Sequence, residues 1–492
     1  MARNLREFSR LYFGEASAEA EGEKRPELLV RGYYDLADTS ERVESRDAFL
    51  LIGPKGAGKS SYVEYRRLKA EGAYDSFVIR RDLGEIRGAL KNDATMSGSH
   101  EVTELSWSVW IWCQLFGSVM SDQAASCQRD LDSQSLFSEL RTLGAIDGDF
   151  RSVIQEIRKK QHKFTAPKVY EYSTEASGAR RVNLGQLRDV LSEICAAVDS
   201  PNEHILAIDG LDSAVIGSAG YWDQLAALLR AANAVHMRLR GARSGLRIVL
   251  LCRSDIFMKI PLPDSNKIRQ SWAIELDWSY GLDTPEDSYL WDLIEKKASA
   301  SGAVIDNLVE SYFPARMEVA QRTGGRSFGM SRYLMELTRG TPRDMIVLLK
   351  KIQEQSREVS ELSIKNIRAG VNSYCKQYFG NEMANELIGL LPANLSNTVI
   401  GSMSRLEYRR FTRSEFEALF DQIAKTEDFD VDQVLQQLFL AGAIANIFPG
   451  RDENYVKFYH RRNHADLSLG GPFIVHTALA LSLNLNFGRR PN

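Results

Sequence analysis

Cysteine is scarce and scattered: Cys113, Cys127, Cys195, Cys252 and Cys375 are the only five in 492 residues, with no C-x-x-C and no paired histidines. That argues against a disulfide framework or a zinc site and for reduced thiols in a cytoplasm. Long apolar runs are missing too. No stretch approaches the roughly 20 apolar residues of a membrane span, and the closest, Phe473 to Leu485, is broken by His476 and Asn484. The opening Met1-Ala2-Arg3-Asn4-Leu5-Arg6-Glu7 has no apolar segment of the secretory kind. A net charge of −3 gives no global attraction to nucleic acid, so such a contact needs a local patch. There is no internal repeat and no low-complexity tract. The expectation is a soluble cytoplasmic protein without membrane contact.

What is present is ordinary globular composition, 44% hydrophobic and 26% charged, in a chain too long for one core. One stretch stands out. Phe49-Leu50-Leu51-Ile52 runs into Gly53-Pro54-Lys55-Gly56-Ala57-Gly58-Lys59-Ser60, which fits G-x-x-x-x-G-K-[ST] and is followed by a helical pattern from Ser61. Ordinary residue frequencies produce the four fixed positions in only ~2% of chains this long. The spacing suits a nucleoside triphosphate. Glycines turn backbone N–H groups toward the phosphates, Lys59 reaches the β- and γ-phosphates, and the Ser60 hydroxyl ligates Mg²⁺. Residues Gly53 to Ser61 are therefore the candidate nucleotide loop.

Phe77–Leu83 reads as a second strand, and the next 120 or so residues contain helical patterns instead, including one with Trp107, Trp110 and Trp112. That aromatic stripe reads as core. The basic run Lys159-Lys160-Gln161-His162-Lys163 reads as a solvated helix end. His204-Ile205-Leu206-Ala207-Ile208-Asp209 is an apolar strand ending in a carboxylate, placing Asp209 on Mg²⁺ through water, opposite Ser60. Asp212, three residues on, is the candidate hydrolytic carboxylate, with a helix N-cap as the alternative. Leu246–Cys252 is a further buried strand. Arg253 at its end is a γ-phosphate sensor candidate or the partner of Asp255.

From about 284 the pattern is helical throughout, a small lid. In it Arg339-Gly340-Thr341-Pro342-Arg343 heads a helix, with Arg343 placed to report the γ-phosphate to the lid. After 385 come the capping box Thr412-Arg413-Ser414-Glu415, a helix over 431–441, and two strands flanking Pro449-Gly450-Arg451-Asp452. Helices followed by a hairpin are the order of a winged helix. The would-be recognition helix exposes Asp432, Gln433, Gln436 and Gln437 and no cation. Basic residues lie on the wing, at Lys457, Arg461 and Arg462, and at Arg405, Arg409, Arg410 and Arg413. Protein contact and nucleic-acid contact through the wing both stay open.

Taken together, Phe13-Gly14 with Ala18 and Glu21, the GPKGAGKS loop, Asp209-Gly210-Leu211-Asp212, Arg253-Ser254-Asp255-Ile256 and Gly340-Thr341-Pro342-Arg343 resemble a group of bacterial stand-alone P-loop ATPases. These are similar to the AAA+ and STAND classes, and some are associated with mobile elements and phage defence. The resemblance implies an α/β fold: an N-terminal arm over 1–47 docked on the core, a P-loop core over 48–283 with a helical insertion over 84–203, a helical lid over 284–384, and a winged-helix-like domain over 385–492. It places Gly340 and Pro342 near the adenine and a sensor arginine at Arg343. It also implies an ATP-binding and ATP-hydrolysing, magnesium-dependent switch acting on itself as a homo-oligomer or on a separate effector protein, with antiphage defence as the setting. The alternatives are a DNA-associated motor or loader and a non-catalytic nucleotide-held scaffold. The chain departs from AAA+ proteins in carrying Gly210 where a glutamate directly follows the aspartate, so Asp212 has to stand in.

Overall fold

The computed structural model describes residues 6–73, 75–83, 100–146, 184–211, 219–278, 287–319, 326–356, 362–387, 393–420, 430–450, 455–461 and 465–488. The chain divides into two units, each built around its own sheet or helices. One comprises Asp35–Gly53 and Lys59–Leu276, the other Met1–Tyr34, Pro54–Gly58 and Asp277–Asn492.

The first unit is α/β. Its five strands are β1 (Leu50–Gly53), β2 (Ser76–Asp82), β3 (Glu203–Asp209), β4 (Leu246–Arg253) and β5 (Ala273–Glu275), in the order β2-β3-β4-β1-β5. All neighbours are parallel. Parallel strands covered on both faces have no solvent side, which is why β1, β3 and β4 read as unbroken apolar runs. Leu50, Leu51, Ala207, Ile208, Val249 and Leu250 are all shut from solvent. β2, at the edge, is half-buried along its length. Helices His100–Met120, Leu184–Ala197 and Ala219–Arg240 supply most of the apolar core around the sheet, and Trp107, Trp110 and Trp112 lie in that core. A polar chain is sealed in the same unit: the Ser118 hydroxyl lies 2.9 Å from His204 Nδ1, and His204 Nε2 lies 3.3 Å from Asp122 Oδ2. Burial lowers the His204 pKa against the opposing pull of Asp122. All three residues are buried, so this constellation of serine, histidine and aspartate braces the unit and offers no nucleophile to solvent.

The second unit is mostly helical. The N-terminal arm is shared between the units: Met1–Tyr34 belongs here, whereas from Asp35 the chain belongs to the α/β unit, where Arg42 donates to the Ala273 carbonyl and Arg46 to the Leu239 carbonyl. Phe8 packs against Tyr312 and Phe313, and Lys297 Nζ donates to Glu21 Oε1 at 2.6 Å. Buried aromatics and a buried ion pair hold the first part of the arm to this unit. The stretch expected to be wholly helical also contains a hairpin, β6 (Arg316–Val319) with β7 (Arg326–Gly329). Arg316-Met317-Glu318-Val319 alternates polar and apolar residues, a period of two that the surrounding helical runs obscure. The start of the helical pattern expected from about 284 lies outside the described residues; the described helix is Tyr289–Ala300, capped by Ser288. Helix Pro342–Glu354 begins as expected, with the Thr341 hydroxyl accepting from Asp344 N and proline in the first turn.

Toward the C-terminus, β8 (Arg410–Phe411), β9 (Ile444–Phe448), β10 (Tyr455–Lys457) and β11 (Phe473–Val475) form a four-stranded sheet in the order β10-β9-β11-β8. The β9–β10 pair is the expected hairpin, and the Thr412–Glu415 capping box is closed in both directions. Among the described residues no helix is long and apolar enough to cross a membrane. The five cysteines are unpaired and buried, and burial pushes the Cys113 and Cys375 thiols up to about 12.

Candidate nucleotide site

In an open parallel sheet, ligands sit beyond the carboxyl ends of the strands, where neighbouring strands send their connections in opposite directions. β1 and β4 are such a pair: the chain leaves β1 for the β2 edge and leaves β4 for β5, on the far side of β1. Their carboxyl ends, Gly53 and Arg253, lie in register. β3 lies beside β4 and ends at Asp209, and helix Lys59–Ala73 starts directly after the loop.

The residues expected to share a metal do meet. Ser60 Oγ donates to Asp209 Oδ2 at 2.9 Å, and Asp209 Oδ1 accepts from Gly210 N at 2.8 Å. The Lys59 ammonium donates to the Gly53 carbonyl at 2.8 Å. Hydroxyl and carboxylate oxygens suit a hard cation such as magnesium. Among the described residues no group of three or more His, Cys, Asp or Glu could hold a metal by protein ligands alone.

Arg253 forms a two-pronged ion pair with Asp255, through Nε at 3.0 Å and Nη2 at 2.9 Å. This is the structural alternative that the sequence left open. Asp212 lies outside the described residues.

Two residues with no assigned role in the sequence reading are found here. Arg80 Nη2 donates to Asp209 Oδ2 at 2.8 Å, and Asp82, which ends β2, lies in register with Asp209. Gly210 has φ +78°, and a Cβ on it would lie 2.2 Å from Asp82 Oδ1. The available signal was a second strand ending in Asp, with an arginine two residues earlier on the same face. Nothing in the sequence says that β2 pairs with a strand beginning more than a hundred residues later.

In the second unit the loop tip, Pro54–Gly58, meets the start of helix Pro342–Glu354. Arg343 N donates to the Gly56 carbonyl at 3.3 Å, and Arg343 Nε donates to the Ala16 carbonyl at 2.9 Å. Trp278 Nε1 donates to the Ala57 carbonyl at 2.8 Å. Lys55 pairs with Glu382 at 3.1 Å, and Glu382 also lies 3.6 Å from Arg343. Pro342 is buried at the head of the helix. Gly56 has φ +81°, and a Cβ there would stand 2.9 Å from Arg343 Cβ. Gly56→Ala should therefore cost about 1–2 kcal/mol from the left-handed backbone alone, with the contact adding to it. Urea unfolding checks the loss; an unchanged midpoint would contradict the tight packing of the tip.

Near the C-terminal sheet, three of the expected basic residues are engaged. Arg409 donates to the Val475 carbonyl and to Thr477 Oγ1, Arg405 to the Leu419 carbonyl, and Arg413 to Glu417 and, as an ion pair, to Asp432. Gln437, expected on the exposed face of the helix, is buried, because helix Val431–Leu440 covers its apolar side as far round as that position. Arg462 lies outside the described residues.

No family model and no curated protein matches this chain.

Proposed function

We propose that the chain is a magnesium-dependent, ATP-binding and ATP-hydrolysing switch, with a P-loop core, a lid and a winged-helix-like C-terminal domain. The observation that carries this reading is the 2.9 Å contact between Ser60 and Asp209, brought together from opposite ends of the nucleotide motif. Lys59 exchanges the Gly53 carbonyl for phosphate oxygens when ATP binds. Backbone N–H groups of the loop and the start of helix Lys59–Ala73 stabilise the phosphate charge. Ser60 and Asp209 would hold magnesium, which would supply neutralisation of phosphate charge. Arg343, touching the loop at Gly56, is suited to pass loop movement to the lid helix, and so to a partner or a second copy of the chain. Antiphage defence is proposed on family resemblance alone. Arg405, Arg409 and Arg413 are held within their own domain, so any nucleic-acid contact would fall to the wing.

The test is ATP hydrolysis by the purified chain against Asp209→Ala, with and without duplex DNA. Turnover should fall at least about a hundredfold in the variant. Stimulation by DNA that declines with salt would shift the assignment to a DNA-associated motor. Nucleotide binding without turnover under any condition would sink the claim that this chain alone is an ATPase and leave the scaffold reading.

A further inference from the structure

We infer that Asp82 is the carboxylate that activates water for attack on the γ-phosphate. The inference rests on the hydrolytic reading above. It starts from an awkward glycine: after Asp209 the chain carries Gly210, a residue that can offer no acid. The structure gives the reason for that glycine. Its φ of +78° suits few residues with a side chain, and the volume that a Cβ would take is filled by Asp82, whose Oδ1, Cγ and Oδ2 lie 2.2, 2.8 and 3.1 Å from the Cβ position. The Asp82 carboxylate thus lies where a side chain at 210 would begin, directly after Asp209.

Two further observations aim it at the site. Asp82 ends β2 and is in register with Asp209, so both carboxylates stand at the same level of the sheet. Ligands of parallel sheets bind beyond that level. Arg80, two residues earlier and therefore on the same face of β2, reaches Asp209 Oδ2 at 2.8 Å. That fixes the side of the strand on which Asp82 emerges. Arg80 is then a positioning residue that holds Asp209 beside Asp82.

The chemistry balances with no further reactant. Asp82 accepts a proton from water as the water oxygen bonds to the γ-phosphorus. The bond from that phosphorus to the β–γ bridging oxygen breaks, and its electron pair leaves on ADP. The proton passes from Asp82 to the released phosphate. A carboxylate in this role contributes roughly 10²–10⁴ in rate.

The experiment measures ATP affinity and single-turnover hydrolysis for wild type, Asp82→Asn, Gly210→Ala and Lys59→Ala. Asp82→Asn keeps the shape of the side chain and removes the base. It should slow hydrolysis at least about a hundredfold while ATP affinity stays within about threefold of wild type. Gly210→Ala pushes on Asp82 from the other side and should reproduce the same split between affinity and rate. Hydrolysis by Asp82→Asn within threefold of wild type would overturn the assignment and return the role to Asp212. A wild-type chain that binds ATP without hydrolysing it would overturn it too. If wild type and Lys59→Ala bind nucleotide equally poorly, it is the nucleotide reading itself that fails.

Discussion

Lys59→Ala is expected to weaken ATP binding and lower turnover by at least about a hundredfold, the scale on which a single charge-stabilising donor acts in such sites. The basis is positional. Lys59 opens the helix that follows the loop, one residue before Ser60, and its ammonium is held at the Gly53 carbonyl, 2.8 Å away. Losing that hydrogen bond costs the fold only about 0.5–1.5 kcal/mol, so the variant should stay folded and the loss should be functional. The neighbouring lysine provides the contrast. Lys55 is committed to Glu382 at 3.1 Å and to Glu386 at 3.9 Å, so Lys55→Ala should change affinity far less. Calorimetric titration with ATP and Mg²⁺ separates the two; equal losses would mean that the loop does not discriminate between its lysines and would remove Lys59 from its assigned role.

The largest loss of stability is expected at Arg339, about 3–5 kcal/mol for Arg339→Ala. The Arg339 guanidinium is buried and donates to both oxygens of Asp344, through Nε and Nη2 at 2.9 Å, and to Glu386 Oε1 at 2.8 Å. Asp344, fully shut from solvent, also accepts from Arg339 N at 3.0 Å and from the Tyr378 hydroxyl at 2.9 Å. Removing the cation leaves the buried Asp344 carboxylate without its counter-charge, and that costs more than the pair contributes when intact. The network also sets a pH dependence. Burial would raise the Asp344 pKa, but the Arg339 charge and the hydrogen bonds outweigh burial and hold it below the usual carboxylate range. Its contribution is therefore complete above the ordinary aspartate pKa and is lost as pH falls toward the lowered folded value. Urea midpoints at neutral and acidic pH check both effects. A shift under about 1 kcal/mol in Arg339→Ala would show that the ion pairs are replaceable.

Which features the sequence disclosed follows from how local their causes are. β1 and its loop, β3 ending at Asp209, the Thr341-Pro342 helix start and the Thr412–Glu415 box are each written within a few neighbouring residues, and each is in place. The β6–β7 hairpin escaped because its strands are four residues long and sit among helical runs. β8 and β11, of two and three residues, escaped because they gain meaning only beside β9. Asp82 was hidden for a related reason. Its importance comes from the pairing of β2 with β3, which no local pattern contains, although a glycine after Asp209 already signalled that something else held that space.

The buried cysteines have a practical consequence for labelling. A thiol reagent must reach the sulfur and attacks the thiolate; all five thiols are buried, and burial also raises the pKa values of Cys113, Cys195 and Cys375. The folded chain should thus be silent to maleimides, so a fluorophore can be attached at one engineered cysteine without removing the native five. The same silence makes slow maleimide uptake a clock for opening of the core, readable on microgram samples of each variant.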